Sequence, residues 1–295
     1  FCFCWANENW TRTWDGQDKT VLMKQDYVEK QLESDFIDKL IPFFKDSRYI
    51  KIDGKPVLIV YRVDIIPEIQ AIAKKWRHRV KEAGFDNIHL IAAYSFDISD
   101  HLKLGFDAGV EFPPHRYFEK TDIITSTLKK VRKDFKGSVF DYRGAILKSL
   151  GKTDALKGVV YRSAFPCWDN TARRQYTSHV MQNSSPLLFQ YWLTKLIIEV
   201  QTKPHSEFIF INAWNEWGEG CHLEPDQKYE HSYLAAVKEA KRLAPLDVTA
   251  QQEIEKYITE RKKRDFVRNL KDQIIARPIL FKFIRPIYRA VKSFR

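Results

Sequence analysis

The sequence predicts an α/β fold of the (β/α)8, TIM-type barrel class, N-terminally truncated to about six βα units and followed by a basic amphipathic C-terminal helix. Three observations carry this prediction. Short apolar runs alternate with amphipathic runs, as in repeated βα units. No G-x-G-x-x-G and no G-x-x-x-x-G-K-[ST] loop follows any apolar run, which argues against a doubly wound nucleotide-binding sheet. Polar and aromatic residues gather just after run after run, where a barrel assembles its site from strand ends.

The strand runs are 1–6, 56–61, 88–94, 108–112, 158–162 and 208–214. They are short, nearly unbroken in hydrophobicity and often β-branched, which suits strands buried on both faces. Helices are expected at 27–44, 67–83, 122–135, 172–182, 186–200 and 231–242. Behind the strands stand Asn7-Glu8-Asn9-Trp10, Arg62, Ser95, His115-Arg116, Trp168-Asp169-Asn170 and Asn215-Glu216. Eight strands close a barrel and six are visible. The chain also opens on Phe1-Cys2-Phe3-Cys4, in what reads as mid-strand, so two βα units are expected to lie upstream. The barrel is expected to span 1–245 and the basic helical tail 246–295.

Of the 295 residues, 44% are hydrophobic and 29% charged, which excludes a disordered chain, a collagen-like repeat and a disulfide-stapled miniprotein. No apolar run approaches the ~18 residues needed to span a bilayer. The four cysteines are too few and too scattered for a disulfide framework and read as reduced thiols of a cytoplasmic protein.

The net charge is +11, but residues 250–295 hold thirteen basic and five acidic side chains, leaving only +3 for the rest. Nucleic acid is therefore not an expected partner of the main domain. In the tail, Leu280, Ile284, Ile287, Val291 and Phe294 keep a helical rhythm, with Lys282, Arg285, Arg289 and Lys292 on another face. Residues 278–295 thus suit an anionic membrane surface. Packing on the main domain or on a partner, or a disordered tail, are the alternatives, and Pro286 disfavours one unbroken helix.

The densest chemistry lies in Trp214-Asn215-Glu216-Trp217-Gly218-Glu219-Gly220. Two carboxylates three residues apart, directly after a buried strand, are what acid–base work at a glycosidic bond requires. Glu216 and Glu219 are the expected catalytic pair, against the plainer reading of surface loop carboxylates. Trp214 and Trp217 offer flat faces for sugar rings. The segment Trp5-Ala6-Asn7-Glu8-Asn9-Trp10-Thr11-Arg12, with Trp14-Asp15-Gly16 beyond it, mixes indoles with hydrogen-bonding groups in the manner of a sugar site, although its tryptophans also suit core packing. Trp168, Asp169 and Asn170 form a third segment, and the strand-end residues Tyr61, Tyr94 and Glu111 complete the expected lining. Arg173 and Arg174 suit either an anion or solvent. His222, Glu224 and Asp226 have no second cluster behind them, so neither a metal nor an organic cofactor is expected.

Together, W-A-N-E-N-W-T-R-x-W-D-G, W-D-N-T-A-R-R and W-N-E-W-G-E-G-x-x-L-E-P resemble the WbsX family of polysaccharide-biosynthesis glycosyltransferases, related to the endo-α-mannosidases of glycoside hydrolase family 99. The resemblance covers about residues 1–243. It implies a barrel acting on sugars in bacterial cell-surface polysaccharide (O-antigen or capsule) biosynthesis, on the cytoplasmic face of the inner membrane. In the hydrolase relatives one glutamate of an E-W-x-E motif takes a proton from the sugar 2-hydroxyl, giving a 1,2-anhydro sugar, and the other protonates the leaving oxygen. The resemblance maps these roles onto Glu216 and Glu219. It departs at Gly218, where the relatives tend to carry His. Without a D-x-D motif, a retaining hydrolase or transglycosidase stands as the alternative to a transferase, and a non-catalytic glycan-binding or scaffold barrel as a third reading. The sequence leaves the oligomeric state open.

Overall fold

The computed structural model describes residues 1–275 apart from 13–16, 29–30, 97, 129–130, 152–156, 203–207 and 244–247. Six parallel strands follow one another in chain order: β1 (Phe3–Trp5), β2 (Lys55–Val60), β3 (His89–Tyr94), β4 (Ala108–Glu111), β5 (Val159–Ala164) and β6 (Ile209–Ile211). Each pairs in parallel with its sequence neighbour, so the order never reverses as it would in a doubly wound sheet. The sheet curls into a half-barrel. Its concavity is visible in contacts that skip a strand. The Tyr161 hydroxyl meets His89 Nε2 at 3.0 Å, and the Tyr61 ring meets Phe112 with centroids 4.8 Å apart.

Alternation along the strands divides the interior. Val57, Ile59, Ile91, Ala93, Ala108, Val110 and Tyr161 fill the concave face. Leu58, Val60, Leu90 and Ala92 point outward, beneath α1 (Phe36–Phe44) and α2 (Ile69–Glu82), where Ile37, Phe44, Trp76 and Val80 cover them. The second half of the outer layer is α3 (Tyr142–Leu150), α5 (Pro186–Gln201) and α6 (Ser232–Lys241), centred on Tyr142, Ile146, Trp192 and Leu196. Helix α4 (Thr171–Arg174) is a single turn beside the site. Helix α7 (Val248–Ile275) buries Ala250, Ile254 and Tyr257 against this half. There the Tyr257 hydroxyl donates to Asp122 at 2.5 Å.

The expected helix over 122–135 is absent among the described residues. Short 3-10 turns at Lys120–Asp122 and Thr125–Thr127 replace it. Ile123, Ile124, Thr125 and Thr127 are β-branched, and Thr125 spends its hydroxyl accepting from the Val139 amide. The expected helix over 172–182 stops after α4, because Gln175 turns to φ +47° and His179–Gln182 forms a strand. That strand joins Trp168–Asp169 and Ser138–Asp141 in a small sheet that the sequence reading did not foresee. Nor did it foresee α3, which is capped by Asp141 accepting from the Arg143 amide. No described helix is long and apolar enough to cross a membrane. The basic segment 278–295 and Trp14-Asp15-Gly16 lie outside the described residues.

Candidate active site

The site forms at the C-terminal ends of the strands. After β6 the chain makes a tight hairpin in which Asn215 faces His222 and Glu216 faces Cys221. A 3-10 turn, Trp217–Glu219, lies between, and Gly220 closes it at φ +55°. This is the turn that the E-x-x-E spacing requires to bring Glu216 and Glu219 to one side. Both carboxylates converge on one guanidinium. Arg173 Nη2 lies 2.7 Å from Glu216 Oε1, and Arg173 Nη1 lies 3.2 Å from Glu219 Oε1. Neither side chain splays into bulk solvent: their exposures are 38% and 25%.

The two glycines of the motif are used for close approach. A Cβ at Gly218 would stand 2.6 Å from Arg173 Nε, and one at Gly220 would stand 2.8 Å from the Asp169 carbonyl. The Trp168-Asp169-Asn170 segment and the glutamate hairpin therefore lock together without intervening side chains. Asn170 accepts from the His179 amide, tying this segment to the small sheet. Asp169 accepts from the Thr171 amide and starts the turn that carries Arg173.

Burial raises the Glu219 carboxyl above the ordinary glutamate range. Arg173 opposes that shift, neighbouring Glu216 adds to it, and Arg174 opposes it weakly. Tyr61, pushed up to about 12 chiefly by burial, senses the charges of both Glu8 and Glu219. Tyr61 is thus within electrostatic reach of both the Asn7-Glu8 segment and Glu219. Glu8 forms an ion pair with Arg62, which also holds Asp64 at 2.7 Å and lies over the exposed Phe96 ring. A pocket of about 420 Å³ opens here, lined by Glu8, Asn9, Thr11, Lys24, Gln25, Tyr27, Arg62 and Ile65.

Among the described residues, three indoles are presented outward: Trp10 at 61% exposure, Trp214 at 52% and Trp217 at 47%. Trp217 is held by its Nε1–H donating to Glu224 at 2.7 Å. Its ring stacks on His222 at 3.8 Å between centroids. His222 in turn meets Asp226 at 3.0 Å. The His222-Glu224-Asp226 scatter thus serves to hold the hairpin. Among the described residues no group of three or more His, Cys, Asp or Glu side chains is arranged to hold a metal.

The structure gathers Glu216, Glu219, Asn215, Trp214, Trp217, Asp169, Tyr61 and Glu8 around the strand ends. Arg12 sits in the hairpin that Trp10–Arg12 forms with Gln17–Met23. Several other expected lining residues face elsewhere. Trp5 points to the helix layer and packs on Phe36 at 4.3 Å. Tyr94 lies across Gly109 on the outer face, with its hydroxyl on His101 Nδ1 at 2.8 Å. Glu111 is on that face too, buried against Arg162 at 3.2 Å and accepting from the Ser163 amide. The parity of the pleat explains both, since residues beside the lumen-facing Ala93 and Val110 must point outward. Trp168 is core, edge-on to His115. Asn7 is fully buried and staples the strand ends, accepting from the Arg62 amide at 2.8 Å and donating to the Arg62 carbonyl at 2.7 Å. Arg173 was open between an anion site and solvent. No sequence signal marks its partners, which lie more than forty residues away.

A profile of the Glycosyltransferase WbsX family matches residues 1–237. Two proteins called "Uncharacterized protein WxcX", from Xanthomonas campestris pv. campestris strains B100 and ATCC 33913, are 34% and 33% identical over 247 residues. The aligned part is 83% of this chain and 35% of each relative, so the chain spans about a third of their length. Among solved structures, a glycoside hydrolase-like protein superposes with a TM-score of 0.53 at 15% identity, over 74% of this chain and 62% of that one. This is a likeness of fold. The family-99 endo-α-mannosidase of Bacteroides thetaiotaomicron matches with a TM-score of 0.43 at 14% identity, over 76% and 62% of the two chains.

Proposed function

This chain belongs to the WbsX glycosyltransferase family, and on that premise we propose that it transfers a sugar in bacterial cell-surface polysaccharide synthesis, with Glu216 and Glu219 as the reacting pair. The observation that carries this reading is the convergence of the two carboxylates beside exposed Trp214 and Trp217. Glu219 is the more enclosed and is raised by burial, which suits the acid that protonates a leaving oxygen. Glu216 is then the acceptor of a sugar hydroxyl proton. In the 1,2-anhydro route, that proton leaves the 2-hydroxyl for Glu216, and O2 displaces the group at C1. The departing oxygen takes the proton of Glu219. An acceptor hydroxyl then opens the anhydro ring, giving its proton to Glu219, while O2 regains the proton held by Glu216. Both carboxyl groups return to their starting states, and the anomeric configuration is retained.

Hydrolysis is the second reading. It is favoured by the lack of a D-x-D motif and of a phosphate-cradling glycine loop in the sequence. The test is turnover of nucleotide-linked and lipid-linked sugars with an oligosaccharide acceptor, beside cleavage of an α-mannoside glycan. Glu216→Gln and Glu219→Gln should each lose turnover in whichever assay the wild type shows. Full turnover in both variants would refute the glutamate pair as the reacting groups, whereas no turnover in any assay, with glycan affinity unchanged in both variants, would leave only a glycan-binding barrel. For residues 278–295, the spacing of apolar and basic side chains supports contact with an anionic bilayer. Deleting them should release the protein from anionic vesicles, and unchanged binding would refute that role.

A further inference from the structure

We propose that Arg173 is the positioning residue of the glutamate pair, and that residue 218 is glycine because Arg173 passes through the space a side chain there would fill. The geometry is specific. Arg173 Nη2 meets Glu216 at 2.7 Å while Nη1 meets Glu219 at 3.2 Å, so one guanidinium spans both carboxylates. A Cβ at 218 would lie 2.6 Å from Arg173 Nε, 2.9 Å from Nη2 and 3.0 Å from Cζ. Gly218 keeps a negative φ, so its glycine is explained by this approach and not by backbone conformation. The far end of an arginine is flexible and can move aside. A side chain at 218 would therefore displace the guanidinium before it disturbed the fold.

The consequence is chemical. Two carboxylates brought together repel one another, and a shared cation offsets that repulsion while fixing their relative orientation. The shorter contact holds Glu216 and the longer one holds Glu219, so a proton entering the pair is opposed least on Glu219. Arg173 thus separates the acceptor from the acid through its contacts with the two carboxylates. Among the described residues, the other titratable groups acting on Glu219 are Glu216, Arg174, Tyr61 and Cys221. Of these, only Arg174 carries positive charge, and its influence on Glu219 is the weakest named.

This inference rests on the reading of Glu216 and Glu219 as the reacting pair, but its test does not need turnover. Protein labelled at the glutamate side-chain carboxyl carbon is titrated by NMR, with the Glu219 signal assigned by Glu219→Gln. Arg173→Gln should move the Glu219 midpoint to higher pH, and Gly218→Ala should move it the same way. The double variant should move it no further than Arg173→Gln alone, because both changes remove one contact. Arg173→Lys should restore part of the shift, and Arg174→Gln should cause much less. Thermal melts close to wild type show that the variants are folded. Should Gly218→Ala perturb the melt, Gly218→Ser in the wild-type and Arg173→Gln backgrounds repeats the cycle. The proposal is overturned if residue 218 leaves the midpoint unmoved, if the two shifts add, or if Arg174→Gln equals Arg173→Gln. If the coupling is found while Glu216→Gln and Glu219→Gln keep full turnover, the clamp stands and the catalytic reading fails.

Discussion

Gly220 lies against the backbone of Asp169, so close that a methyl group at 220 would approach the Asp169 carbonyl to 2.8 Å. Two segments fifty residues apart in sequence are thereby fixed edge to edge, and the left-handed backbone at 220, φ +55°, adds its own demand for glycine. Gly220→Ala should cost roughly 1–2 kcal/mol for the backbone alone, with more from the clash. A denaturant melt reads the loss. Unchanged stability would mean that the two segments part freely.

Turnover should depend on pH through Glu219. Its carboxyl is raised, chiefly by burial, so the protonated acid persists to higher pH than an exposed glutamate would. Activity that needs this acid should fall as pH rises through its midpoint. Stability follows the same sign. The folded state holds this proton more tightly than the unfolded chain, so the contribution of Glu219 declines as pH rises from the ordinary glutamate range to the raised midpoint. Glu219→Gln should remove that decline, which urea melts across pH would show.

Glu111 should prove to be a residue of stability and not of glycan binding. It is buried with Arg162, which also donates to the Ser149 carbonyl at 2.7 Å and faces Glu199 at 3.5 Å. Glu111→Ala leaves a buried guanidinium short of one carboxylate and should cost about 3 kcal/mol. Glycan affinity of the folded variant, measured by calorimetry, should match wild type.

Tyr257 should matter for the docking of α7. Its hydroxyl donates to Asp122, whose other oxygen has no hydrogen-bond partner among the described residues, and its ring lies near the guanidinium groups of Arg143 and Arg264. Burial raises the Asp122 carboxyl. Tyr257→Phe removes a hydrogen bond from a buried group and should cost about 1–3 kcal/mol. Hydrogen exchange should then quicken first along 248–258.

Much of the architecture was legible because it rests on local hydrophobicity. All six barrel strands coincide with apolar runs, and α2, α5 and α6 with amphipathic ones. The failures have local causes too. Helix α3 went unforeseen, and its Gly144 is set by a distant residue, because the Asp122 carboxylate occupies the place of a Cβ. Thr125 and Asn170 divert polar side chains to backbone partners distant in sequence, which no periodicity reveals. At the candidate site, the closeness of Glu216 and Glu219 and the presence of exposed indoles beside them were readable from the residues at a strand end. The outward turn of Tyr94 and Glu111 was not, because one residue of register decides which side of a sheet a side chain serves. Nor was Arg173, whose partners lie more than forty residues away.

The stacking of Trp217 on His222 leaves the indole a single open side. A pyranose settling there must offer it a flank of C–H bonds, and an axial hydroxyl on that flank would hold the two planes apart. On the proposed reading of Trp217 as a sugar platform, the imidazole backing would leave one face to sort epimers before either carboxyl group acts.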